Sequence, residues 1–256
     1  MSKTQPAVEA AAEHERILAI IQQKNDAPIA LDPSRTALVI IDVQRYFVRP
    51  EEAFGQVFDR LSPGVTSGYF HRVHTRVLPN IQRLQSAFRA RGMRVMYTAT
   101  GTRTGDGQDL PGWLRELDHL GLAVLGERIW PPEGDPRWQV DDSIAPRPGE
   151  VVFAKCSSGP LASTRMDQML RHLGIDTVVV TGLTTDVCTT QTARELADRG
   201  FTVILAEDAT TTLSARMHES AVQCFNIAFG RVRSTDQLLA MLTPAESPPA
   251  LAMADR

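Results

Sequence analysis

The sequence predicts a three-layer α/β/α fold built on a mostly parallel, six-stranded, doubly wound sheet. Two observations carry this. Apolar, β-branched runs recur along the chain, at Thr36–Asp42, Met93–Thr98, Val151–Lys155, Thr177–Thr181, Phe201–Ala206 and Arg231–Arg233. Continuous runs of this kind mark strands buried on both faces. Segments with helical spacing separate most of them, and in the second half the joining turns are short. That alternation gives a parallel sheet with helices on both sides.

Composition narrows the function classes. The chain has 256 residues, 43% of them hydrophobic and 22% charged, with a net charge of -3. A balance this close to neutral leaves no electrostatic footprint for nucleic acid or an anionic membrane. No apolar run reaches the roughly 20 residues of a membrane span, and the first residues lack the apolar core of a secretory signal. Cys156, Cys188 and Cys224 form no CxxC and no zinc spacing. Three free thiols suit a reducing compartment, so a cytoplasmic location is expected.

Residues 1–35 read as an arm and linker. Within them Ala11–Lys24 gathers Ile17, Leu18, Ile20 and Ile21 on one helical side, and Pro28 and Pro33 mark the linker. The arm is expected to lie across the domain or a neighbouring subunit. The domain itself spans 36–242. Thr36–Asp42 is its first strand and ends in a carboxylate. Gln44–Tyr69, with Phe47, Phe54 and Phe58, reads as a long loop able to wall a pocket. Val73–Arg91 is a helix closed by Gly92, and Met93–Thr98 a second strand. Thr100–Gly149 is the least regular stretch, and its acids Asp106, Asp109, Glu116 and Asp118 read as a solvated face. Val151–Lys155 is a strand ending in a lysine, which must find a partner or stay exposed. Ser163–Leu173 is a helix. Thr177–Thr181 then runs through Gly182 into a helical segment bearing Cys188. Phe201–Ala206, a helix over Ser214–Phe229, Arg231–Arg233 and a helix over Thr235–Leu242 follow, and 243–256 is a flexible tail.

The chemistry collects at strand ends. Asp42, Lys155 and Cys188 each fall at or just beyond the carboxyl end of a strand, and in a doubly wound sheet those ends share one rim. A thiol in the first turn of a helix lies in the positive field of the helix start, which favours thiolate. Amides left unpaired at the same turn suit an oxyanion. Roles follow from the groups: Cys188 as nucleophile, Asp42 as the acid–base group, Lys155 as the cation that orients Asp42. The histidines are scattered and form no metal pair, so no metal and no cofactor are expected. Arg103 reads as solvent-facing.

The segments TALVIIDVQRYF (36–47), VVFAKCSSG (151–159), LGIDTVVVTGLTTDVCTTQTARELADRGF (173–201) and AEDAT (206–210) resemble the isochorismatase-like cysteine hydrolases, a family that includes nicotinamidases and amidohydrolases of carbamoyl, biuret and ureido compounds. The resemblance covers about residues 35–242. It implies an Asp–Lys–Cys triad on Asp42, Lys155 and Cys188. It also implies a cis peptide at Leu183–Thr184, and an oxyanion hole formed by the amides of Thr184 and Cys188. Phe47 matches an aromatic of the family's substrate pocket. Leu161 stands where many members have an aromatic, which places it among the substrate-binding positions. The Asp-x-His metal motif of nicotinamidases is missing from TATGTRTGDG (98–107). Isochorismatases proper lack the cysteine, so Cys188 points to C–N hydrolysis of a small amide, carbamoyl or ureido compound, and relatives imply a homo-oligomer. Two other readings stay open: a non-catalytic binding member of the fold, and a thiol redox enzyme pairing Cys188 with Cys156 or Cys224.

Overall fold

The computed structural model describes residues 5–242; the expected tail at 243–256 lies outside them. Six strands, β1 (Thr36–Ile41), β2 (Arg94–Thr100), β3 (Val151–Lys155), β4 (Thr177–Leu183), β5 (Thr202–Thr211) and β6 (Arg231–Arg233), form one sheet in the order β3-β2-β1-β4-β5-β6. Every pairing is parallel, so the sheet is wholly rather than mostly parallel. The strand order reverses between β1 and β4, and the crevice outside their carboxyl ends is where such sheets bind ligands.

Strand β1 shows why the run TALVII is apolar throughout. Side chains alternate across a strand. Leu38 and Ile40 enter one core with Ile81, Leu84 and Phe88, while Ala37, Val39 and Ile41 enter the other with Leu170, Ala193 and Phe225. The first core is covered by α5 (Leu78–Ala90) and α10 (Thr235–Leu242), the second by α7 (Met166–His172), α8 (Thr190–Asp198) and α9 (Ala215–Ala228). Gly182 ends the close contact of β1 with β4. Its φ is +117°, and an added Cβ would lie 2.1 Å from the Ile41 carbonyl oxygen.

Two stretches expected to be irregular are helical. Gln44–Tyr69 contains α2 (Arg45–Val48), α3 (Ala53–Leu61) and the start of α4 (Ser67–Arg72). Pro50 and Pro63 flank α3 instead of breaking it, and its Phe54 and Val57 are buried. The region 100–149 contains α6 (Gly112–Leu125), which begins after Pro111 and ends at Gly126 in the left-handed conformation. Asp118 on α6 is no solvated acid. It is 1% exposed, pairs with Arg128 and accepts the amides of Ile129 and Trp130. The expected helix over residues 73–91 is interrupted at its start by a π turn at Val73–Val77.

The arm forms α1 (Gln5–Asp26). Its last turn docks on this chain's own sheet edge. Lys24 donates to the carbonyls of Asn226 and Gly230 at 2.8 and 3.1 Å, where a cation meets the carboxyl end of α9. Asn25 Oδ1 accepts the amide of Val232 in β6 at 2.8 Å.

Candidate active site

Asp42 follows β1 directly and takes a φ of 49°, in the left-handed region that aspartate tolerates better than most residues. This turns the chain off the strand while its amide bonds the Thr98 carbonyl at 3.1 Å. The Asp42 carboxylate is fully buried. Thr98 Oγ1 donates to Oδ1 at 2.6 Å, and Lys155 Nζ donates to Oδ2 at 2.6 Å. Lys155, 2% exposed at the end of β3, also donates to the Ser157 carbonyl at 2.7 Å and reaches Cys188 Sγ at 3.6 Å. The lysine that had to find a partner has three. Two opposite charges this dry are tolerable only because each satisfies the other. Three residues from three strand ends, 113 and 33 positions apart, thus meet on one rim.

Electrostatics revise one expectation. Burial alone would lower the Lys155 pKa, but Asp42 and Cys188 outweigh it and hold the ammonium above its ordinary 10.5. The Cys188 thiol is pushed well above its ordinary 9.0. Burial is the main cause, and the pull of Lys155 does not offset it; Asp42 and a hydrogen bond to its carboxylate also favour the protonated thiol. The helix-start field was expected to favour thiolate. The structure does place Cys188 in the first turn, a π turn at Thr185–Thr189 that runs directly into α8, but leaves it only 7% exposed. Desolvation there exceeds what a helix terminus supplies. Burial thus favours the protonated thiol beside the Lys155–Asp42 pair.

The turn bearing Cys188 is held on several sides. The Leu183–Thr184 peptide is cis. The Thr184 carbonyl accepts the amides of Val187 and Thr189, on either side of Cys188. Thr185 Oγ1 lies 2.9 Å from both Thr210 Oγ1 and His218 Nδ1, and Thr192 Oγ1 donates to the Cys188 carbonyl at 2.7 Å.

Thr184 and Cys188 both line a cavity of about 170 Å³. Phe47, Phe54 and Phe58 form one wall, with the Phe47 and Phe54 ring centroids 4.8 Å apart. Leu161 does not reach this cavity. It packs in the second core, and its amide donates to Glu195 Oε2. Cys156 packs against the first core while Cys188 belongs to the second, and all three cysteines are free. Among the described residues no three His, Cys, Asp or Glu side chains cluster as metal ligands. Nor is any described helix long and apolar enough to cross a membrane.

Sequence reasoning missed Thr98 and Ser157, which hold the charged pair, and Trp113 and Trp130, which close the cavity. Pro111 and Gly126 bracket α6 and were the available signal for Trp113, in its first turn. Thr98 left none, since a threonine inside a strand is ordinary.

A family model described as the isochorismatase domain matches residues 36–237. Among curated proteins, the ureidoacrylate amidohydrolase RutB of Methylobacterium radiotolerans is 28% identical over 218 residues, covering 80% of this chain and 78% of that protein. The N-carbamoylsarcosine amidase of an Arthrobacter species is 27% identical over 214 residues, covering 82% and 72%. Among solved structures, a cysteine hydrolase from Pseudomonas syringae pv. phaseolicola 1448A superposes with a TM-score of 0.68 at 26% identity, covering 84% of this chain and 95% of that one.

Proposed function

We propose that this chain, which belongs to the isochorismatase family, is a metal-independent cysteine hydrolase that cleaves a C–N bond of a small amide, carbamoyl or ureido compound. One observation carries the reading: Lys155 Nζ stands 2.6 Å from the Asp42 carboxylate and 3.6 Å from Cys188 Sγ beside an apolar cavity. Curated relatives named as a ureidoacrylate amidohydrolase and an N-carbamoylsarcosine amidase support the C–N substrate class.

The upward pull of burial on the Cys188 thiol supports a sequence in which its proton passes to Asp42, on the other side of Lys155, as sulfur attacks the carbonyl carbon. The charge then moves to the carbonyl oxygen, and the amides of Thr184 and Cys188 receive it. Asp42 returns the proton to the leaving nitrogen, the C–N bond breaks, and an S-acyl or S-carbamoyl enzyme remains. Water, deprotonated by Asp42, attacks that carbonyl; the new acid leaves and the proton returns to Cys188. Lys155 stays cationic throughout, and Thr98 keeps Asp42 oriented. No step draws on a metal or an organic cofactor.

The test is ammonia release from a panel of amides and ureas by wild type and Cys188→Ala, with and without chelator. Cys188-dependent, chelator-insensitive release is expected. Full turnover by Cys188→Ala, or loss of turnover with chelator, refutes the mechanism. The expected homo-oligomer belongs to the same reading and is checked by light scattering of the full chain.

A further inference from the structure

We propose that the substrate's reacting group is carried on an apolar, ring-sized body that bears no carboxylate and ends in an N–H donor group, bound best when cationic, that meets Asp186. The inference rests on the hydrolase reading above and deepens it.

The cavity's chemistry is lopsided. Most of its lining is aromatic or aliphatic, and among the described residues that line it none carries positive charge. Apart from Cys188, the ionisable group there is Asp186. Asp186 is half-buried, and no hydrogen-bond donor among the described residues reaches its carboxylate. A half-buried carboxylate at the mouth of a mostly apolar cavity is best matched by an N–H or a cation. Asp186 stands where the cavity opens into a wider groove of about 670 Å³, since it lines both, as do Trp113, Val187 and Met217. A ligand held at Cys188 therefore presents its far end to Asp186. The size is set as well, because an apolar cavity of about 150 Å³ accepts benzene and this one measures about 170 Å³.

A carboxylate in the same place would meet an anion and apolar walls, with no cation to offset its lost hydration. Ureidoacrylate and N-carbamoylsarcosine, named for the curated relatives, are both carboxylates. The structure therefore separates this chain from them on charge. Of the cations around the cavity, Lys155 is fully buried and paired with Asp42 beside Cys188, and Arg194 and Arg216 line the outer groove only.

The test uses the full chain and a matched series sharing one reacting amide: benzamides with a methyl, aminomethyl or carboxylate substituent at the meta or para position. Rates of ammonia release are compared for wild type, Asp186→Asn, Arg216→Ala and Cys188→Ala. The expected kcat/KM for the better aminomethyl isomer exceeds that for the matching carboxylate at least tenfold, and Asp186→Asn lowers this ratio at least fivefold while Arg216→Ala does not. Cys188-dependent release that favours the carboxylate, above all if Arg216→Ala abolishes the preference, overturns the inference and leaves the hydrolase reading intact. If no compound gives Cys188-dependent release, the hydrolase reading fails for this class. The inference is then decided by calorimetric titration of Cys188→Ala with benzylamine and benzoate. Tighter benzylamine, weakened by Asp186→Asn, supports it, and equal or tighter benzoate overturns it.

Discussion

Replacing Lys155 by methionine keeps most of the side chain's length and removes the charge together with its N–H donors. The consequence follows from the dryness of its partner. Asp42 is 0% exposed and Lys155 2%, so water cannot take over the ammonium's role. Of the donors to the Asp42 carboxylate, Thr98 Oγ1 at 2.6 Å remains and the 2.6 Å bond from Nζ is lost, while the Ser157 carbonyl loses its 2.7 Å donor. Breaking a buried pair by removing one partner costs about 3–5 kcal/mol, a large part of the roughly 5–15 kcal/mol of a typical domain. In a chain of this size that corresponds to a fall in melting temperature of roughly 6–20 °C. Urea unfolding of wild type, Lys155→Met, Asp42→Asn and the double variant, at neutral pH, gives the four free energies of a double-mutant cycle. The double variant, with no charge left to bury, is expected to recover at least half of the loss while remaining inactive. A Lys155→Met cost below about 1 kcal/mol, the range of solvent-screened pairs, would refute the picture of a dry, mutually dependent pair.

Four further outcomes follow from the same geometry. Gly182→Ala forces a Cβ to within 2.1 Å of the Ile41 carbonyl oxygen at a φ of +117°; a loss of roughly 2–5 kcal/mol from overpacking and backbone strain is expected in chemical denaturation. The Cys188 thiol and the Lys155 ammonium both have pKa values raised by folding. Their contributions are therefore complete below the ordinary values of 9.0 and 10.5 and are lost as pH rises beyond them, so unfolding free energy should decline from about pH 9 upward, and less steeply in Cys188→Ala. For the same reason kcat/KM should show no tenfold-per-unit rise between pH 7 and 9, and such a rise would mean that free thiolate, not thiol passing its proton to Asp42, is the reacting form. Asp118→Ala removes the acceptor of the Trp130 amide and should raise KM several-fold with a smaller change in kcat, measured on any substrate the wild type accepts.

How much of this could be read from residues alone depends on what kind of interaction fixed each feature. Strand β1 was legible because a strand buried on both faces admits only apolar side chains, and β3, a half-buried edge strand, because its apolar run is short and sharply ended; in both, the charged residue that ends the run stands out. Asp42 and Lys155 were visible for that reason. The helices α3 and α6 were obscured by proline and glycine, which bound them but read in isolation as loop residues. The upward pull of burial on the Cys188 thiol was not legible. A helix start can be inferred locally, whereas desolvation depends on everything packed above the sulfur. Leu161 was misplaced for a similar reason: its position after the lysine suggested the pocket, but the turn at Ser157–Pro160 packs it into the second core, with its amide on Glu195 of α8 and away from the cavity lining.

The placement of β1 between β2 and β4 also bears on how the molecule comes into being on the ribosome. β1 ends at residue 41, and the strand that covers its second edge begins at residue 177. At cellular rates of synthesis the interval is on the order of ten seconds. For that time the most apolar segment of the nascent chain has one side of its backbone unpaired, an invitation to chaperones or to neighbouring chains on the same message. The sulfur emerges last of the three reacting groups, so a prematurely released chain that stops short of β4 has both halves of the charged pair and no nucleophile to activate.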